Sequence, residues 1–158
     1  MSRFLMFSIL ILLLVLGYLF IASSPDKSQD QSDASLQFND RKIISAQIGS
    51  KRYNLFVSDT EAQRSQGLSN IETMLPNEGM IFIFDSPAKY GFWMKDMQFS
   101  LDLLYLYGNN IVAVREDLSP KTYPQTFAPS YTASKVIELN AGEVMKNGVN
   151  IGDQIKLK

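Results

Sequence analysis

The 158-residue chain contains no cysteine and no histidine, and these two gaps narrow its chemistry before any motif is read. Without cysteine there is no disulfide, no thiolate metal ligand, no thiol nucleophile and no lipid attachment through an N-terminal cysteine. Without histidine the common catalytic triads and zinc sites are excluded, as is any switch built on an imidazole titrating near neutral pH. Acid and base chemistry is left to carboxylates, lysine and tyrosine. Charge of one sign is also scarce, with 15 Lys and Arg against 16 Asp and Glu. Beyond residue 40 the balance is 13 basic to 12 acidic groups, which leaves no basic stripe for nucleic acid. Phosphate-binding glycine loops, nucleophile elbows, calcium loops and internal repeats are all missing.

What is present begins with Phe4 to Ala22, nineteen uncharged residues that are mostly Leu, Ile, Phe and Val. A hydrocarbon core about 30 Å thick needs roughly 20 such residues in a helix, whereas the apolar part of a cleavable signal is usually about 7 to 15. The stretch is therefore expected to be a single transmembrane anchor over residues 4–22. Arg3 on the short side keeps residues 1–3 in the cytoplasm and sends the rest of the chain outside. Cleavage after Ser23, releasing a secreted domain, is the alternative. Residues 23–40, rich in Ser, Asp and Gln, offer little to bury and read as a flexible linker. Residues 41–158 are left as one extracytoplasmic domain, large enough to bury a core unaided.

Within that domain Ile43–Ile48 and Tyr53–Val57 alternate around the turn residues Gly49 and Ser50, a hairpin pattern. Ser58 with Glu61 fits a capping box and Gly67 a C-terminal cap, which predicts one short helix between them. Met80–Phe84 is a short apolar run of the kind found in buried strands, and Phe92–Met97 reads as a further strand. Leu101–Tyr107 and Ile111–Arg115 flank Gly108, Asn109 and Asn110, a second hairpin. A proline-rich stretch from Asp117 to Ser134 is expected to be an ordered loop, followed by strands over Lys135–Leu139 and Gln154–Leu157. The expectation is a mainly β domain, a small barrel or sandwich of about seven or eight short strands with one or two short helices, preceded by a single transmembrane helix.

These blocks resemble the family known as domain of unknown function 192. The resemblance rests on Arg64, Gly67 and Leu68, then Gly79, Met80, Phe82 and Phe84, then Phe92, Trp93, Met94 and Lys95 with Leu101 and Asp102. Tyr131, Glu138 with Ala141 and Gly142, and Gly152 with Asp153 complete the order. Asp96, Met97, Ser100, Ser69 and Asn70 depart from the commoner family residues. The resemblance implies a compact, mostly β domain, often secreted or anchored.

The segment richest in chemistry is Phe92–Lys95. Strand alternation would set Phe92 and Met94 toward the core, so that Trp93 and Lys95 share a surface where an indole plate lies beside a cation. That pairing suits a ligand with a flat or hydroxylated body and a negative group. The competing reading is that Trp93 covers the end of the barrel and Lys95 makes a structural ion pair. The candidate binding set is Trp93, Lys95, Asp102, Arg64, Glu138 and Tyr131, with Tyr123, Phe127 and Tyr131 either rimming a pocket or fastening the long loop. If Asp102 and Glu138 met beside Lys95 and Arg64, two carboxylates could do hydrolytic chemistry, or the cations could neutralise both in a buried network. No cofactor or metal is expected, and no feature specifies an oligomeric state. The functional expectation is a membrane-anchored binding module for a small molecule or envelope glycan. An enzyme using Asp, Glu and Lys, or a protein-interaction domain, stands as the alternative.

Overall fold

The computed structural model describes residues 32–158. The expected anchor over residues 4–22 and the first half of the expected linker, residues 23–31, lie outside the described residues. Among the described residues no helix is long and apolar enough to cross a membrane. Seven strands form one curled half-barrel sheet: β1 (Ile43–Ile48), β2 (Lys51–Ser58), β3 (Glu78–Ala88), β4 (Leu101–Tyr107), β5 (Asn110–Leu118), β6 (Ala133–Asn140) and β7 (Lys156–Leu157). Their order is β5-β4-β6-β3-β2-β1-β7, and every pair is antiparallel except β2 with β3. The sandwich alternative falls away, because all seven strands hydrogen-bond into the same sheet. An isolated bridge between Asn110 and Gln154 ties β5 to the segment that leads into β7, so the two edges of the sheet meet there.

Short helices complete the fold: α1 (Asp33–Gln37), α2 (Glu61–Gln66) and α3 (Glu143–Lys146). Helix α1 lies where the composition reads as linker. Ala34 and Phe38, spaced i and i+4, share one face and are fully buried, with Phe38 tilted against Phe56 at 5.6 Å. Ser32 caps α1, and Ser32 and Ser35 both donate their hydroxyls to the Glu78 carboxylate. Two apolar residues and one buried carboxylate are enough to pull residues 32–40 onto the domain, so its boundary falls before Arg41. The cap of α2 also moves. Ser58 ends β2, where its buried hydroxyl accepts from Arg41 at 2.6 Å, and Thr60 with Gln63 makes the reciprocal capping box instead.

Alternation along the strands gives the sheet two apolar faces. On one, Phe56, Met80, Phe82, Leu103, Tyr105 and Val136 pack beneath α1, the turns after α2 and the long loops. On the other, Tyr53, Leu55, Ile81, Leu104, Ile137 and Leu139 meet Val144, Val149 and Ile155. Gly79 sits where β3 is squeezed between its neighbours. A Cβ there would lie 2.7 Å from the Glu138 carbonyl oxygen and 2.9 Å from Leu55, so no larger residue fits without moving a strand.

Phe92–Met97 does not form the expected strand. It crosses the open face of the sheet, where only Phe92 finds a ladder partner, in a two-way bridge to Phe127. The segment then turns sharply, with Asp96 at φ 56° and its carbonyl accepting from Asn70 N–H at 2.8 Å.

Candidate functional site

This crossing segment builds a cleft. Met94 is buried at 3 % exposure while Trp93 is 58 % exposed and Lys95 faces solvent, so the expected inward and outward sides survive without the strand. Phe92 packs edge-on against Phe82 at 4.9 Å and Tyr105 at 6.0 Å. Between this segment and α2 lies a cleft of about 310 Å3 lined by Arg64, Phe82, Phe84, Tyr90, Phe92, Trp93, Lys95 and Glu138, among others. Phe84, in β3, and Tyr90 stack with centroids 3.5 Å apart and form one wall, a pair that the sequence does not reveal because Tyr90 lies in the turn-rich stretch beyond the strand. Gly91 lets the segment pass Thr126 closely, since a Cβ there would meet the Thr126 methyl at 2.5 Å.

Arg64 is fixed rather than free-swinging. Its guanidinium donates to the carbonyls of Asp59 and Ile83 and lies 5.2 Å from the centre of the Phe84 ring. Lys95 holds the rim through its backbone, whose carbonyl accepts from Ser69 Oγ at 3.1 Å. Among the described residues its ammonium makes no ion pair.

Glu138 lies below them. Register sets it beside Met80 of β3 and Leu103 of β4, on the apolar face that carries Phe82 and Tyr105. Its side chain is buried, and Oε2 has no hydrogen-bond donor among the described residues. Burial alone pushes the carboxyl up to about 8, so it is mostly protonated at neutral pH. Tyr105 nearby is raised above its ordinary value, first by burial, with Arg115 opposing and Glu138 adding to the shift. Its hydroxyl donates to the Phe127 carbonyl at 2.8 Å.

Asp102 goes elsewhere. It pairs with Leu139, one position from Glu138, and therefore faces the opposite side of the sheet. There it is fully buried and accepts backbone N–H bonds from Asp117 and Val144, both at 2.9 Å. The N-cap of α3 is Gly142, which offers no side-chain cap, so Asp102 supplies the acceptor that the helix's first turn needs. The neutralising network expected around both carboxylates does not form. Tyr131 is 70 % exposed on its loop and is not among the residues lining the cleft. Of the aromatic loop residues, Phe127 fastens the loop to Phe92, and Tyr123 meets Trp93 edge-on at 6.3 Å. Among the described residues no group of three or more carboxylates could hold a metal ion.

The family model for domain of unknown function 192, described as "Uncharacterized ACR", matches residues 43–157. The chain belongs to that family. Two crystal structures share the domain's fold. One, from Sinorhizobium meliloti 1021 and provisionally named a transcription regulator, is 26 % identical with a TM-score of 0.68, covering 74 % of this chain and 93 % of its own. The other, a protein of unknown function from Novosphingobium aromaticivorans DSM 12444, is 20 % identical with a TM-score of 0.67, covering 73 % and 84 %. No curated protein matches the chain. Within this family-matched region the cleft draws on four of the resemblance blocks: Arg64 with Gly67 and Leu68, Phe82 with Phe84, Phe92 with Trp93 and Lys95, and Glu138.

Proposed function

We propose that this chain is a membrane-anchored envelope protein whose domain binds a small or carbohydrate-like ligand in the cleft between α2 and the Phe92–Lys95 segment. The observation that carries the reading is the buried, donor-less Glu138 oxygen at the bottom of a cleft walled by aromatic rings. A polar group kept there without a partner costs stability, and functional sites are where such costs are found. Trp93 and the Phe84–Tyr90 stack offer flat surfaces to a ring or sugar, and Arg64 and Lys95 supply positive charge for an anionic substituent. The nineteen-residue apolar stretch supports the anchor and the envelope location. An enzyme working through paired carboxylates lacks support, since Asp102 and Glu138 occupy opposite faces. The regulator name of the Sinorhizobium relative finds little support here, since 13 basic and 12 acidic groups after residue 40 leave almost no net positive charge to attract DNA.

Calorimetric screening of the full chain in mild detergent against envelope glycans and small anionic metabolites tests this reading. A saturable heat that Trp93→Ala weakens by about tenfold or more is expected from the loss of a buried aromatic contact. Binding that is indifferent to Trp93→Ala would place the ligand elsewhere.

A further inference from the structure

The cleft is electrically two-ended. At its floor Glu138 is 6 % exposed and its Oε2 lacks a donor. At its mouth stand two cations, Arg64 and the exposed Lys95, with the Glu61 carboxylate beside them. The two ends do not cancel each other: burial is what moves the Glu138 carboxyl, with no offsetting pull from either cation. Arg64 commits a single nitrogen, Nη1, to two backbone carbonyls, which fixes the guanidinium in place. Between the ends the walls are apolar rings, Phe82 and Phe92 among them.

We propose that the cleft takes a zwitterion with an apolar body, seating an ammonium group against Glu138 at the floor and an anionic group beside Arg64 and Lys95 at the mouth. This rests on the cleft being a ligand site, as proposed above. An ammonium brings three donors and a compensating charge to an oxygen that has neither, which a hydroxyl does only in part. The anionic end meets cations where solvent still reaches, so its desolvation cost is small. The rings separating the ends require the two charges of the ligand to be separated as well, as in an ω-amino acid, rather than carried on one carbon.

Seating a cation on Glu138 requires its carboxylate form, so binding is linked to proton release. On Glu138's face β4 contributes Tyr105, whose proton is committed to Phe127, and β3 contributes Met80 and Phe82, which do not titrate, together with Glu78, which accepts from Ser32 and Ser35. Arg41 reaches this face against Met80, and Arg115 of β5 stands on it opposite Leu103. Helix α2 contributes Glu61 and Arg64 at the mouth, and the crossing segment Tyr90 and Lys95. Burial carries the Glu138 carboxyl into the neutral range, so the linkage belongs to it.

The test is calorimetry on the full chain in mild detergent, with linear ω-amino acids of increasing length as probes. Alkylamines and alkyl carboxylates of matching length, and sugar acids, serve as comparisons. One chain length should bind best, at least about tenfold tighter than either singly charged comparison, because each end contributes its own charged contact. Repeating the titration in buffers of different ionisation enthalpy should count about one proton released below pH 8, with affinity rising about tenfold per pH unit until Glu138 is ionised and then levelling. Glu138→Gln should remove both the proton release and the pH dependence. Where that variant fails to fold, the proton count on the unaltered chain decides. Tight binding of sugar acids or alkyl carboxylates that weakens in Trp93→Ala, with no gain from an amine end, would overturn the zwitterion and leave the cleft as a ligand site. Absence of saturable binding by every class would overturn both.

Discussion

A carboxylate buried without a donor alters the pH dependence of folding in the direction opposite to a paired one. Glu138 titrates from an ordinary 4.5 in the unfolded chain to about 8 in the fold, so the folded state holds its proton longer. The stability is present in full below pH 4.5, is lost as pH climbs from there, and levels once the folded carboxyl ionises near 8. Unfolding of Glu138→Gln should show a flatter stability profile across that window and a higher stability at its alkaline end, by on the order of several kcal/mol. Identical pH profiles for both chains would contradict the burial. Asp102 behaves otherwise. Asp102→Ala strands the N–H groups of Asp117 and Val144 and should destabilise the domain by about 3 kcal/mol in denaturant unfolding. The affinity of the folded fraction for any cleft ligand should be unchanged, since that side chain never reaches the cleft. The sequence marks both acids as anomalies within apolar strands but cannot separate them. Register alone decides, because Asp102 aligns with Leu139 and not with Glu138.

At the scale of elements, β1 and β4 have the bounds that alternation predicts, and both hairpin turns close on glycines at positive φ, Gly49 at 54° and Gly108 at 62°. Three places were not legible. Helix α1 is too short and polar for periodicity, and its only signal is the Ala34 and Phe38 spacing. The crossing segment has a strand's composition without a strand's neighbour. The α2 cap falls at Thr60 and not at the expected Ser58, because β2 runs on through Ser58. The last point is testable. Thr60→Ala should cost about 1 kcal/mol by chemical denaturation, through loss of the hydroxyl that accepts from Gln63 N–H. It should also loosen Arg64, which α2 presents to the cleft. An unaffected midpoint would argue against the Thr60 cap.

For the whole molecule, the proposed membrane location rests on the apolar N-terminal stretch. Alkaline extraction of cell membranes should leave the full chain in the pellet, and its release into the supernatant would contradict the anchor. The central claim is that the cleft holds a ligand, and the chain carries a built-in reporter for it. Trp93 is the sole tryptophan and stands at the cleft with Tyr123 against its edge. Titration of the full chain with a ligand found by calorimetry should shift Trp93 emission saturably, with a midpoint matching the calorimetric affinity. Saturable heat with an unmoved Trp93 spectrum would put the ligand outside the cleft and contradict the claim.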